Sequence, residues 1–167
     1  MCGISGILKK KPISKGDIKI QKLLLNEIRH RGPSSSKTFI SKNYSTACAR
    51  LSIIDQRNIS NIPFETPHHV LSYNGQLFNY KKLRKKLILE KGIKFKTESD
   101  TEVFIKGYNI YGENFFKMCE GMFAAAIYNK IKQTLILVVD PLSIKNFYYY
   151  INKKNNILQF SSESRSL

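Results

Sequence analysis

"YNGQLFNY", residues 73–80, lies between an apolar alternating run, "HHVLSYN" (68–74), and a lysine-rich run of helical period, "YKKLRKKLILEKG" (80–92). Asn-Gly between extended runs is the strongest short turn signal, because both residues tolerate a positive φ. On that reading the chain leaves a strand at Asn74-Gly75, turns a corner and enters a helix over 80–91, with Leu83 and Leu87 inward and Gly92 as its stop. The same pair can be read chemically. A side-chain amide beside a backbone N–H is a donor pair suited to a developing oxyanion, and glycine permits close approach. Turn and oxyanion site both remain open from spacing alone.

On either side of this stretch, strands and helices alternate. "CGISGIL" (2–8) has the short apolar character of a buried strand, and "IKIQKLLLNEIRH" (18–30) puts Ile20, Leu23, Leu24 and Ile28 on one helical face. Strands are expected at 37–41 and 44–54, ahead of "HHVLSYN". "SDTEVFIKGYNIYG" (99–112) opens on a capping box, Ser99 to Glu102, with Val103, Phe104 and Tyr108 on one side of the helix that follows. Four more strands are expected at 121–129, 133–140, 147–152 and 157–162. The run at 133–140 is apolar on both faces, so its sheet must be covered on both sides. Early helices and a late series of strands predict an α+β fold with helices packed on sheets. With 167 residues and 42% hydrophobic content, the sequence supports one domain.

A formal net charge of +16 suggests polyanions, but the lysines are scattered and arginine supplies only 6 of the 28 basic residues. Readers of nucleic acid concentrate arginine on one face, so no nucleic-acid partner is expected. Cys2, Cys48 and Cys119 are odd in number and widely spaced, which indicates neither a disulfide framework nor a zinc site. No stretch reaches the roughly 18 apolar residues of a membrane span, and the N-terminus lacks the order of a signal peptide. A cytoplasmic protein without a membrane partner is the expectation.

Besides Asn74-Gly75, three positions carry candidate chemistry. Trimming of Met1 would leave Cys2 with a thiol and a free α-amine on one residue, nucleophile and base together, whose ordinary pKa values of ~8.5 and ~7.7–8.0 make proton transfer nearly thermoneutral. Arg50 can grip a carboxylate bidentately, and Asp100 can pair with an ammonium. Taken singly, each has a plain structural reading: a buried strand-start cysteine, an edge-strand arginine and a first-turn aspartate facing the helix dipole.

Together they resemble the class II glutamine amidotransferases, a branch of the N-terminal nucleophile hydrolases, and within them the glutaminase domain of glutamine-hydrolysing asparagine synthetase. The matching segments run in order: "MCGISGIL", "RHRGP", "RLSIID", "YNGQLFNY", "SDTEV", "GMFAAAIYN", "DPLSIKNFYYY" and "FSSES". The resemblance implies a four-layer αββα sandwich over residues 1–167. It implies Cys2 as nucleophile, Asn74 and Gly75 as oxyanion hole, Arg50 on the glutamine carboxylate and Asp100 on its ammonium. Leu51, Ile53, Ile54 and Gln76 complete the implied substrate site. No cofactor is implied in this domain. ATP and Mg²⁺ serve a separate synthetase domain, which this sequence lacks and which is the implied partner; the oligomeric state stays open.

The sequence departs from the family pattern at Ser34, Val139, Ser143 and Asn146, where Asp, Arg, Gly and Pro are usual, and at Gln76, where Glu is usual. A degenerate, non-catalytic module kept for protein interaction therefore stands as the alternative reading.

Overall fold

The computed structural model describes all of residues 1–167. In chain order the elements are β1 (Gly3–Lys9), α1 (Lys15–Ile28), β2 (Ser35–Ile40), β3 (Tyr44–Arg50), β4 (Phe64–Glu65), β5 (His69–Leu77), α2 (Tyr80–Lys91), α3 (Asp100–Tyr111), β6 (Gly121–Asn129), β7 (Thr134–Val139), β8 (Tyr148–Asn152) and β9 (Ile157–Ser161). Two antiparallel sheets result, ordered β2-β3-β1-β9-β8 and β4-β5-β6-β7. α1 packs on β1 and β3 of the first sheet, α3 packs on β5 of the second with α2 beside it, and β1 and β3 face β5 across the gap. The layers are helix, sheet, sheet, helix, the expected αββα sandwich.

The two-residue period of β5 assigns its faces. Leu71 and Tyr73 point toward α3, where Tyr73 packs on Phe104 at 5.1 Å between ring centroids. Val70, Ser72 and Asn74 point into the gap between the sheets, where Ser72 Oγ meets Thr46 Oγ1 at 2.7 Å. The dry part of that gap is built from Tyr44, Val70, Ala126, Tyr128 and Phe160, with Tyr44 stacked on Tyr128 at 4.3 Å. β7 has both faces engaged, as its two-sided apolar pattern requires: Leu135 and Leu137 join this cluster, while Ile136 and Val138 join the larger one beneath the helices.

Several expectations need correction. Asn74-Gly75 is not a turn. β5 runs straight through it, pairing Asn74 with Ala124 and Gly75 with Phe123, and the strand ends only at Leu77. Gly75 is required for a different reason than a left-handed φ: a Cβ there would sit 2.4 Å from the Met122 carbonyl oxygen and 2.6 Å from Phe123 Cα. The strand expected over 44–54 stops at Arg50, and residues 51–57 leave the sheet. α1 buries Asp17, Gln21, Leu24 and Ile28, leaving Ile20 and Leu23 40% and 57% exposed. The buried polar pair explains that rotation of the helix: Asp17 caps through Ser14 and binds Lys9 at 2.7 Å, and Gln21 Nε2 donates to Ser5 Oγ at 2.9 Å. The capping box of α3 is half formed. Ser99 accepts from the Glu102 N–H, but the Glu102 carboxylate turns to the N–H groups of Lys96 and Thr97. The α2 boundaries match expectation, with Gly92 closing the helix at φ 62°.

Candidate active site

At one end of the gap, where β1 begins and β3 ends, the sheets part around a cavity of about 90 Å³. Cys2, Asn74, Gly75, Arg50 and Asp100 all line it, as do Leu51, Ile53, Ile54 and Gln76. Sequence positions almost a hundred residues apart converge because four elements terminate or pass at the same end of the sandwich.

Cys2 sits immediately before β1 on the same side as Ile4, so its thiol faces the gap. The Leu51 N–H points at Sγ from 3.4 Å, a bond made possible because the chain leaves the sheet after Arg50. Arg31 holds the backbone from behind, with Nε 3.1 Å from the Cys2 carbonyl oxygen and Nη1 3.1 Å from Glu163. Burial pushes the Cys2 thiol up; the Leu51 N–H and neighbouring positive charges pull against it. A thiol so placed needs a base to react. Cys48 is buried in the core, and burial raises its thiol much further. Cys119, beneath the helices, is pushed up to about 12.

Asn74 is 1% exposed, and its Nδ2 has no hydrogen-bond partner. An unpaired buried donor costs about 1–3 kcal/mol, so its presence on a cavity wall calls for an acceptor brought from outside. Gly75 supplies a second donor from within the strand. β4 covers only Val70 and Leu71, leaving the edge of β5 unpaired beyond them. Along that edge the Leu77 N–H turns away from β6 to Asp100 Oδ2 at 2.9 Å, and the period of two directs the Gly75 N–H the same way. A free strand edge thus provides what a corner was expected to provide.

Arg50 is 6% exposed, anchored by Asn61 Oδ1 at 3.0 Å and by the Asp55 carbonyl oxygen. Asp55 in turn is held by Arg57 and by the Glu98 N–H, at 2.7 and 2.8 Å, and these bonds keep its carboxyl well below the usual range. Asp100, the first residue of α3, also takes the Tyr73 hydroxyl at 3.5 Å. Burial raises its pKa despite the Leu77 N–H, so Asp100 is an acid short of a cation. Asp55, Ser99 and Thr101 also line the cavity, as do Lys145 and Tyr73, neither of which was singled out in the sequence. Lys145 is one of 22 lysines with no distinguishing spacing; only the loop after β7 brings it in.

Two antiparallel sheets stacked between helices, with a near-terminal thiol at the mouth of the gap, constitute the fold of the N-terminal nucleophile hydrolases. The chain belongs to the glutamine amidotransferase domain family, whose model matches residues 1–167. It is similar to asparagine synthetase [glutamine-hydrolyzing] 1 of Bacillus subtilis (strain 168), 36% identical over 170 residues that cover 100% of this chain and 26% of that protein. Asparagine synthetase [glutamine-hydrolyzing] 2 of the same organism is 36% identical over 171 residues, covering 100% and 22%. Amidase chry2 of Gibberella zeae is 33% identical over 181 residues, covering 99% and 26%. The chain spans about a quarter of the length of these relatives. No helix is long and apolar enough to cross a membrane.

Proposed function

We propose that this domain hydrolyses the side-chain amide of glutamine and delivers the ammonia to an acceptor, in the manner of the glutaminase half of asparagine synthetase. The observation that carries the reading is the unpaired Asn74 Nδ2, buried on the wall of the cavity that also holds the Cys2 thiol.

With Met1 removed, the Cys2 amine takes the thiol proton and Sγ bonds to the amide carbon. The oxyanion receives hydrogen bonds from Asn74 Nδ2 and the Gly75 N–H. The amine returns the proton to the leaving nitrogen, the C–N bond breaks and ammonia departs, leaving a γ-glutamyl thioester. Water then adds to the thioester, and its collapse releases glutamate and the free thiol. Arg50 holds the α-carboxylate and Asp100 the α-ammonium, with Leu51, Ile53 and Ile54 against the substrate's methylenes. Binding of the ammonium would favour the ionised form of Asp100, which burial alone opposes.

Aspartate as acceptor is suggested by the names of the asparagine synthetase relatives; a synthetase domain or subunit as partner, with ATP and Mg²⁺ as its requirements, is what resemblance to that family implies. None of these is needed for the glutaminase half-reaction. Gln76 lines the site in place of a carboxylate and leaves Asp100 to carry the ammonium alone.

The test is glutamate release from glutamine by protein whose Met1 has been removed. Release that Cys2→Ala abolishes is expected. A trimmed, folded protein that releases none, even with a synthetase partner added, would refute the reading in favour of a non-catalytic module.

A further inference from the structure

The loop that follows β7 projects one charged side chain into the cavity. Lys145 is 7% exposed and shares the lining with Cys2, Arg50 and Asp100. The loop is held by Asp140, itself 1% exposed, whose carboxylate accepts the N–H groups of Phe123 at 3.0 Å, Leu142 at 3.0 Å and Ile144 at 3.1 Å. Lys145 is thus fixed to the start of β6 and the end of β7 rather than free on a surface.

No carboxylate lies within ion-pair distance of the Lys145 ammonium. Its hydrogen bond goes to Met1 Sδ at 3.0 Å. A thioether is a weak acceptor, and burying an ammonium against one is unfavourable unless the charge has another use. Met1 is also the residue bonded to the Cys2 nitrogen. The ammonium therefore touches the side chain of the residue whose removal would free the Cys2 nitrogen, and removal would take its present partner away.

The charges facing this point come from every surrounding element. Cys2 stands at the start of β1, with Arg31 on its carbonyl and Glu163 on Arg31. Arg50 ends β3, Tyr73 lies on β5 and Asp100 begins α3. Asp55 lies in the loop after β3 and is engaged by Arg57. Under the proposed function, Arg50 and Asp100 match the two charges of the glutamine head. Tyr73 is neutral, its hydroxyl raised by burial. Lys145 is left over, a cation on the cavity wall against Met1.

We propose that Lys145 is a positioning residue that acts through Cys2, its fixed positive charge keeping the freed α-amine unprotonated and favouring the thiolate. A nearby cation disfavours an ammonium and favours a thiolate, so both effects lower the pH at which Cys2 becomes competent. The amine and thiol titrate as a coupled pair, and the sign is the same whichever of them a given probe reports. The proposal rests on the glutaminase reading for its purpose, but its electrostatics can be measured without glutamine.

The experiment uses protein shown by mass spectrometry to lack Met1, as wild type, Lys145→Met and Lys145→Arg. Alkylation of Cys2 by iodoacetamide and kcat/KM for glutamine are each followed against pH. Lys145→Met is expected to move both profiles upward by about one pH unit, which slows alkylation about tenfold on the acid limb. KM should change less than about twofold, and Lys145→Arg should restore the wild-type profile. Unmoved profiles in a folded Lys145→Met protein would overturn the proposal. So would a large rise in KM with the profile in place, which would make Lys145 a substrate anchor. Should Lys145→Met fail to fold, Lys145→Gln serves for the same comparison. If wild type alkylates but hydrolyses no glutamine, the glutaminase reading fails while the alkylation profiles still decide the role of Lys145.

Discussion

Asn74 separates stability from activity more cleanly than any other residue in the molecule. Its Nδ2 is buried without a partner, and a donor in that state costs the folded protein about 1–3 kcal/mol. Replacing Asn74 by leucine, close to it in shape, removes the desolvated amide and leaves an apolar group between the sheets. The expected result is unchanged or increased stability: with about 2–4 °C in Tm for each kcal/mol in a domain of this size, a shift between zero and roughly +12 °C. Activity should move the other way. Loss of one oxyanion donor lowers kcat by about 10²–10³, equivalent to ~2.7–4 kcal/mol of transition-state stabilisation, while KM stays near wild type because the ground-state carbonyl gains less from that donor. Thermal unfolding and steady-state glutamate release on the same trimmed protein read both quantities. A Tm lowered by 10 °C or more, or a kcat within about threefold of wild type, would show that the amide supports the fold and not the reaction.

Gly75→Ala should behave in the opposite sense: the new Cβ meets the β6 backbone at 2.4–2.6 Å, so strands β5 and β6 must part at a cost of about 1–3 kcal/mol, seen as a Tm loss. At Gly92 a methyl group would have nothing within 4 Å of it, so Gly92→Ala should cost only the left-handed backbone term, about 1 kcal/mol in denaturant unfolding. Two buried carboxylates should show opposite pH dependence. Asp55 is depressed in the folded state, so it contributes stability that is full above its unfolded value near ~3.9 and lost as pH falls through the lower folded value; Asp55→Asn should flatten that acid loss. Asp100 is raised, so its ionisation opposes folding once pH exceeds the unfolded value. Asp100→Asn should gain stability at pH 7 relative to pH 3 while glutamine binding falls, and a variant less stable at pH 7 would refute the assignment. Gln76→Glu should lower the KM for glutamine by about 5–30-fold, as a charged acceptor replaces a neutral one; an unchanged KM would place Gln76 away from the ammonium.

The layered fold was legible because its signals are local and repeated. The two-faced apolar run of β7 required covering on both sides, and the structure covers it with two different clusters. The boundaries of α2 were readable from Leu83, Leu87 and a terminal glycine. The face of α1 was not. Hydrophobicity alone favoured Ile20 and Leu23, whereas buried hydrogen bonds to Ser14, Lys9 and Ser5 turn Asp17 and Gln21 inward, and those partners lie in segments no helical period can indicate. Lys145 was illegible for a related reason. Its place in the cavity depends on Asp140 gathering three backbone N–H groups around a loop, an arrangement of tertiary origin. Ser143 within that loop adopts φ 50°, a left-handed conformation that glycine would adopt at lower cost.

Asn74-Gly75 shows most clearly how a local rule can be overridden. The pair carries every sign of a turn, yet β6 runs opposite it over nine residue pairs from His69 to Leu77, and that ladder outweighs the turn preference of two residues. Glycine survives in the strand because the facing backbone leaves no room for a Cβ, and asparagine because the gap between the sheets opens beside it. A strand also presents donors with a fixed period, which a turn does not. Its free edge sends the Leu77 N–H to Asp100 and directs the Gly75 N–H into the same region, one repeat nearer Cys2. The Gly75 N–H and the Leu77 N–H that holds Asp100 are therefore spaced by one rigid strand, two residues or about 6.6–6.8 Å apart. A bulge or inserted residue between Gly75 and Leu77 would reverse which N–H groups face the edge and separate binding from chemistry, leaving the fold otherwise standing.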